Sequence, residues 1–480
     1  MKDLIYTILD LGEAKGISYA DVRVVEESLE SYEVKDGLVE VAEWKEGYGF
    51  GIRVLHDGAW GFACSSSVNK IEMEDALTRA LGIAESSGIA RGKRIELFPI
   101  PTVQNRYHTP MERDPFAISP AEKLSLLIKA EGLMRGKPYI SVSQAFMDIY
   151  KVRKVFASSE GSYIEQEIVE CGAGIAATAA VGNEVQTRSY PNSFRGNFAT
   201  GGYEFVEGLD LAGNAERTAD EAAQLLFAQP CPSKVTTLIL DSSQLALQIH
   251  ESIGHPVELD RVLGMEVAYA GTSFLNFEKR GSFRCGSDSV NIIADATIPG
   301  GLGTFGYDDE GVKAQRIPIL QNGIFLNFLA SRETAREVGS QPNGTMRAES
   351  WNRIPLIRMT NINLQPGSWR FEDLVADTDD GIYMATNRSW SIDDQRLNFQ
   401  FGTEVAWEIK KGKMGKMFKN PTYTGITPQF WNACDGVAGE REWRLWGIPN
   451  CGKGQPGQVA HVGHGAAPAR FRNVRVGVMG

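Results

Sequence analysis

The order of apolar and polar positions divides the chain into stretches of different period. Residues 2–15, "KDLIYTILDLGEAK", place apolar residues at helical spacing with Asp3, Asp10 and Glu13 between them, the pattern of an amphipathic helix. Over 20–66 the period drops to two. "ADVRVVEESLESYEVKDGLVEVAEWKEGYGFGIRVLHDGAWGFACSS" alternates between Lys-Asp-Gly and His-Asp-Gly turns, which predicts an antiparallel meander. A second helix follows over about 69–86, with Ile71, Leu77, Ala80 and Leu81 on one side, and 89–116, rich in Pro and Arg, reads as a connection. The order then repeats. Ser119 caps and Pro120 opens a helix over 119–134, strand-like runs cover 138–191, and a further helix fits 210–229.

"QPCPSK" at 229–234 breaks that helix and marks a domain boundary. Beyond it, "VTTLILD" is a continuous apolar run suited to a buried strand, and Asp241, Ser242 or Ser243 caps a helix over "QLALQIHESI". From 288 onward β-like segments are punctuated by "PGGLG", "QNG", "LQPG", "KKGK" and "GKGQPG". The expected fold class is α+β. Residues 1–228 form an N-terminal mixed α/β domain of antiparallel meanders with flanking helices, a helix–meander–helix order used twice. Residues 229–480 form a β-rich C-terminal domain with one embedded helix carrying His250. Strands do not alternate with helices there, so a parallel α/β sheet fits poorly.

Composition narrows the classes. A chain of 480 residues exceeds one ordinary core. Its 42% apolar and 23% charged residues are those of a globular protein, and a net charge of −11 argues against nucleic-acid binding. No run approaches 18 apolar residues, so no membrane span is expected, and the N-terminus suits a helix better than a signal peptide. Six scattered cysteines do not form a disulfide framework. A cytoplasmic location is expected.

The chemistry concentrates in "LQIHESIGHPVELDR", 247–261, with two of the chain's six histidines and a glutamate after the first. The familiar zinc helix H-E-x-x-H puts both rings on one face. Here the spacing is H-E-x-x-x-H, and on a regular helix five residues advance about 500°, leaving the rings about 140° apart. Two local solutions bring them together: Gly254 ends the helix and Pro256 makes His255 extended so that the chain bends back, or a π-bulge widens the turn. Without a metal, the pair simply interacts with a helix C-terminus. A catalytic zinc needs a third protein ligand. Glu258, Asp260, a distant cysteine, His461 and His464 are the options, the last two also forming an alternative second pair in "HVGHG". Cys451, amid the turn residues of "GIPNCGKGQPG", is expected on a loop, with Cys434 its nearest rival. Cys64, Cys171, Cys231 and Cys285 read as buried thiols.

"HESIGHPVELDR", "RIPILQNGIFLNFLASRETA", "PNGTMRAESWNRIPLIRMTNI", "DGIYM" and "GIPNCGKGQPGQVAHVGHGAAP" together resemble the TldD half of the TldD/PmbA family, and "GYGFGIRVLHDGAWGFACSSS" resembles that family's first domain. The resemblance runs from about residue 18 to 476. It implies a cytoplasmic zinc metallopeptidase acting on peptides and unfolded or flexible polypeptides, with one Zn2+ per active subunit held by His250, His255 and Cys451 and with Glu251 as catalytic glutamate. It drops Cys434 and leaves His464 without a role. It also implies a dimer, with itself or with a motif-less PmbA-type paralogue. On this reading Glu251 takes a proton from the zinc-bound water and returns it to the leaving amine, and a β-rich body accepts an extended peptide as an added strand. A second function class is a binding or scaffold subunit whose structural zinc is closed by Glu258 or His464 while its partner does the chemistry. A third hydrolyses a side-chain amide. The charged groups of "YDDEG" (307–311) and "RAES" (347–350) either line the cleft or serve turns and salt bridges.

Overall fold

The computed structural model describes residues 1–90 and 92–478. Up to Phe227 the elements are α1 (Lys2–Ala14), β1 (Tyr19–Lys35), β2 (Leu38–His56), β3 (Ala59–Ser65), α2 (Lys70–Ala90), β4 (Gln104–His108), α3 (Pro120–Met134), β5 (Ile140–Ser158), β6 (Tyr163–Val181), β7 (Glu184–Tyr190), β8 (Asn197–Thr200) and α4 (Leu211–Phe227). One eight-stranded sheet joins them in the order β3-β2-β1-β5-β6-β4, with β7 and β8 also on β6. The two predicted meanders meet at β1 and β5, antiparallel from Asp21↔Ser158 to Lys35↔Gln144. Asp36-Gly37 and Asp57-Gly58 make both first-meander turns with positive φ, which the Asp-Gly pairs announce. Apolar faces of α1 and α2 close one core on β1–β3, and α3 and α4 close a second on β5 and β6.

Two local expectations need correction. The stretch 89–116 is not only a connection, because β4 pairs in parallel with β6 from Gln104↔Tyr163 to His108↔Glu167. Its "QNRYH" is an exposed edge strand without apolar alternation, so nothing in the pattern marks it. Ile71 is exposed, while Leu77 and Ala80 are buried as expected.

The second unit is built on β9 (Lys234–Leu240), α5 (Ser242–Ile249), β10 (Asp380–Ile392), β11 (Asn398–Lys410), β12 (Pro421–Ile426), β13 (Arg444–Lys453), β14 (Gln458–Ala466) and β15 (Ala469–Val478). Its sheet runs β10-β9-β15-β12-β11, and pairing of β10 with β11 returns the path to its start. β13 and β14 form a separate hairpin. The architecture is α+β, with a β-rich second half around one buried helix. Among the described residues no helix is long and apolar enough to cross a membrane.

Ion pairs join the two units. The "YDDEG" loop does not present its acids to solvent: Asp308, Asp309 and Glu310 are all buried. Asp309 pairs with Lys154 and Arg23, while Glu310 accepts from Arg53 at 3.3 Å and from the Arg332 backbone N–H at 2.8 Å. Arg53 also holds Asp21 at 2.8 Å, and Arg332 holds Glu160 at 2.7 Å. Removing one member of a buried pair strands the other charge in low dielectric. Arg53→Met is therefore expected to destabilise the protein by about 3–5 kcal/mol in guanidinium unfolding. A loss below about 1 kcal/mol, the scale of an exposed pair, would contradict this account of the junction.

Candidate metal centre

Strand β9, buried over Leu238–Leu240, delivers the chain to Asp241, whose carboxylate accepts from the Ser243 N–H at 2.9 Å and from Tyr383 Oη at 2.8 Å. That cap starts α5, whose eight residues are all buried. Inside this apolar surround Gln244 Nε2 donates to the Tyr423 hydroxyl, which donates in turn to Gln248 Oε1, both at 2.9 Å. After Ile249 the helix widens into a π turn over His250–Gly254, closed by a bond from the His255 N–H to the His250 carbonyl. Pro256 supplies no N–H, and in a regular α-turn its ring would meet the Ser252 carbonyl. The wider turn avoids that clash.

Of the two local solutions, the widened turn is the one observed. Gly254 does not end the helix and His255 is not extended; both keep right-handed helical φ and ψ. Glycine answers a different need, since a Cβ at 254 would lie 2.1 Å from Met359 Sδ. With an i→i+5 turn the two rings fall on one side, centroids 4.8 Å apart.

Cys451 comes to this pair across the hairpin. It lies in strand β13, buried, rather than on a loop; its turn-rich neighbours belong to the hairpin's end. Its Sγ is 3.9 Å from His255 Nε2, and ligand atoms of His250, His255 and Cys451 all lie within 4.8 Å of one another. The remaining ring nitrogens are taken. His255 Nδ1 meets Glu258 Oε2 at 2.9 Å, and His250 Nδ1 meets His464 Nε2 at 2.8 Å. Lys453 lies 3.3 Å from Glu258 and 2.8 Å from Asp260, so both acids proposed as third ligand are engaged elsewhere.

Electrostatics separate Cys451 from the other thiols. Burial pushes Cys171, Cys231, Cys285 and Cys434 up to about 12. Burial pushes Cys451 up as well, but the Arg358 guanidinium and the His255 ring outweigh it, and its thiol ends below the ordinary value. Burial lowers His250 to about 4 and takes His255 and His464 well below the usual imidazole range. Two neutral imidazoles and a readily ionised thiol, each ring backed on its far nitrogen, are a donor set that fits a borderline-soft divalent ion such as zinc.

Glu251 is 5% exposed, and its carboxylate is ion-paired with the Arg396 guanidinium. Arg396 stands at the turn between β10 and β11 with φ +62. That turn is stitched to the segment after α5 by backbone bonds from Thr272 N to Asp394 O and from Phe274 N to Gln395 O. His461 and His464 do not form a second metal pair, because they project from opposite faces of β14. His461 Nδ1 turns to Glu170 Oε2 of the N-terminal sheet at 2.5 Å. Cys434 sits in the core beside Phe471. Sequence reasoning missed Arg396, for which no local pattern exists, and gave neither Glu258 nor His464 its place behind a ring. Glu258, three residues after His255, was within reach of helical spacing.

Comparison with known proteins matches three family models in chain order: PmbA/TldA metallopeptidase domain 1 over 20–85, the central domain over 113–229 and the C-terminal domain over 233–478. A metalloprotease of Methanocaldococcus jannaschii is 32% identical over 465 residues, 96% of this chain and 97% of that protein. A protein of Saccharolobus solfataricus named zinc metalloprotease TldD homolog is 21% identical, covering 97% and 98%. The crystal structure of TldE from Thermococcus kodakarensis shares the fold, with a TM-score of 0.73 at 16% identity over 99% of this chain and 100% of that one. The C-terminal match alone spans more than half the chain and contains His250, Glu251, His255 and Cys451; the chain belongs to the PmbA/TldD family of metallopeptidases.

Proposed function

We propose that this protein is a zinc metallopeptidase that hydrolyses peptide bonds in peptides and in unfolded or flexible polypeptides, with His250, His255 and Cys451 holding the ion and Glu251 as catalytic base. The convergence of these three ligands from two segments 196 residues apart carries the reading. The bound ion would supply a Lewis acid that acidifies water and polarises the scissile carbonyl. Glu251 then takes the proton from the water that attacks the carbonyl carbon, and hands it to the amine nitrogen as the C–N bond breaks. Arg396, ion-paired with that carboxylate, orients it. A structural zinc would draw on Glu258 or His464 as a fourth donor. Both instead bond the ligand rings on their far nitrogens, which favours a three-donor catalytic arrangement.

Burial favours a slender substrate. His250, Glu251, His255 and Cys451 are only 3–5% exposed. A peptide bond held in another protein's helix or sheet does not reach groups this enclosed, so this reading favours a single extended strand. Mass spectrometry of a digested flexible peptide separates backbone cleavage from side-chain deamidation.

Three variants test the roles. Cys451→Ala is expected to leave the protein folded, with its zinc content and its cleavage of an unstructured peptide both lost. Full zinc occupancy in that variant would remove the thiol from the ligand set. Glu251→Gln is expected to retain zinc and lose about 100- to 10,000-fold in kcat, the usual worth of a positioned proton acceptor; undiminished turnover assigns the base elsewhere. Arg396→Gln, with zinc retained, is expected to lower kcat by about 10- to 100-fold through a misplaced carboxylate, with little change in KM. An effect confined to KM would make Arg396 a substrate contact instead.

A further inference from the structure

We propose that His464 is a positioning residue of the metal centre, holding His250 in the tautomer that offers Nε2 to the ion. The inference rests on the ligand set of the proposed function. It also gives a place to the "HVGHG" motif, which the family resemblance leaves unassigned.

The argument follows the protons. His464 Nδ1 lies 3.1 Å from the Ile362 carbonyl oxygen, which only accepts, so the proton of the His464 ring sits on Nδ1. In a neutral imidazole Nε2 then carries a lone pair. That lone pair is 2.8 Å from His250 Nδ1, so His250 Nδ1 must donate. The lone pair left on His250 is at Nε2, the nitrogen away from His464. Among the described residues the ring's hydrogen-bond partners are the Ile362 carbonyl and His250, with no carboxylate, so a proton on both nitrogens of His464 would place an unpaired charge in a residue with no exposed surface.

The backbone around His464 is fixed on both sides, as a relay of this kind requires. The Gly463 N–H donates to the Thr360 carbonyl at 3.0 Å and the Gly465 N–H to Asn363 Oδ1 at 2.6 Å. Position 465 must be glycine, because a Cβ there would lie 1.8 Å from Trp443. Thr360, Ile362 and Asn363 therefore grip one short stretch of β14 and set the height of the imidazole between them. The two metal-side histidines are backed differently. His255 leans on a carboxylate, Glu258, and His250 on a neutral ring held by a carbonyl. The first strengthens the donor, and the second selects which nitrogen is the donor.

The test uses the full-length protein, its zinc affinity measured by chelator competition and its cobalt-substituted form by absorption spectroscopy. His464→Gln preserves the relay, since its amide oxygen accepts from His250 and its NH2 donates to Ile362. His464→Phe fills the space without either bond. The expected result is zinc affinity near wild type for the Gln variant and about 10- to 100-fold weaker for the Phe variant, with altered cobalt ligand-field bands. Equal affinity of Phe and wild-type proteins overturns the proposal. The metal-free wild type provides a readout independent of any variant's folding: nitrogen-15 histidine NMR is expected to show His250 and His464 both protonated at Nδ1, and an Nε2–H tautomer at His250 overturns the proposal equally. Failure of the ligand set itself is distinct, appearing as zinc bound no less tightly after Cys451→Ala.

Discussion

One backbone hydrogen bond, from the His255 N–H to the His250 carbonyl, sets the geometry on which the centre depends. A regular α-turn would spread the two rings about 140° apart. Widening by one residue brings them to one side, edge to face. The surroundings hold that wider turn rather than merely tolerating it. Pro256 removes a donor that the regular turn would use. Met359 fills the space beside Gly254. Ser252 accepts from Trp431 Nε1 at 2.9 Å and from Gln248 Nε2 at 3.0 Å while donating to the Gln248 carbonyl. Each of these groups is buried, so slipping back to a regular helix would strand polar atoms without partners.

The centre gathers charges of both signs, and their arrangement explains how so much ionisable chemistry survives burial. Lys453 and Arg261 face Glu258, Asp260 and Glu266 on one side, and Arg396 faces Glu251 on another. Arg358 donates to the Cys451 and Gln458 carbonyls, and its charge near the sulfur favours the thiolate. Metal ligands must be deprotonated, and neutral imidazoles with a thiol held below its ordinary value lean toward that requirement.

Much of this was legible in the sequence, and the remainder divides by physical cause. Helical and alternating periods located α1, both N-terminal meanders and the capped helix before His250, because each follows from local burial. The Asp-Gly pairs gave the hairpin turns for the same local reason. The π turn was one of two solutions that spacing allowed, and spacing alone had no means to choose, since Met359 lies more than a hundred residues away. Cys451 was singled out by resemblance, and its turn-rich neighbours pointed to a loop because a hairpin end and a loop share composition. Arg396 and His464 act on Glu251 and His250 from 145 and 214 residues along the chain, and no local pattern encodes such a contact. β4 escaped because an exposed edge strand buries nothing.

β14 ties these levels together. Its alternate residues face opposite ways. His464 and Ala460, the latter paired with Cys451, lie on the side of the ligands. His461 lies on the other, bonded to Glu170 and edge-on to Tyr150 of the N-terminal sheet. Arg347 adds a crosslink by donating to both the His461 and Met359 carbonyls, joining this strand to the residue that packs on the π turn. The N-terminal unit supplies none of the three proposed ligands, yet it bears directly on the strand that contacts one of them and pairs with another. Together with the pairs of Arg23, Arg53 and Lys154 to the buried Asp309 and Glu310, this contact makes docking of the two units and placement of the His250 and His255 imidazoles a single packing problem. That is a physical reason for the chain to keep a large N-terminal sheet beside a candidate metal centre to which it contributes no proposed ligand.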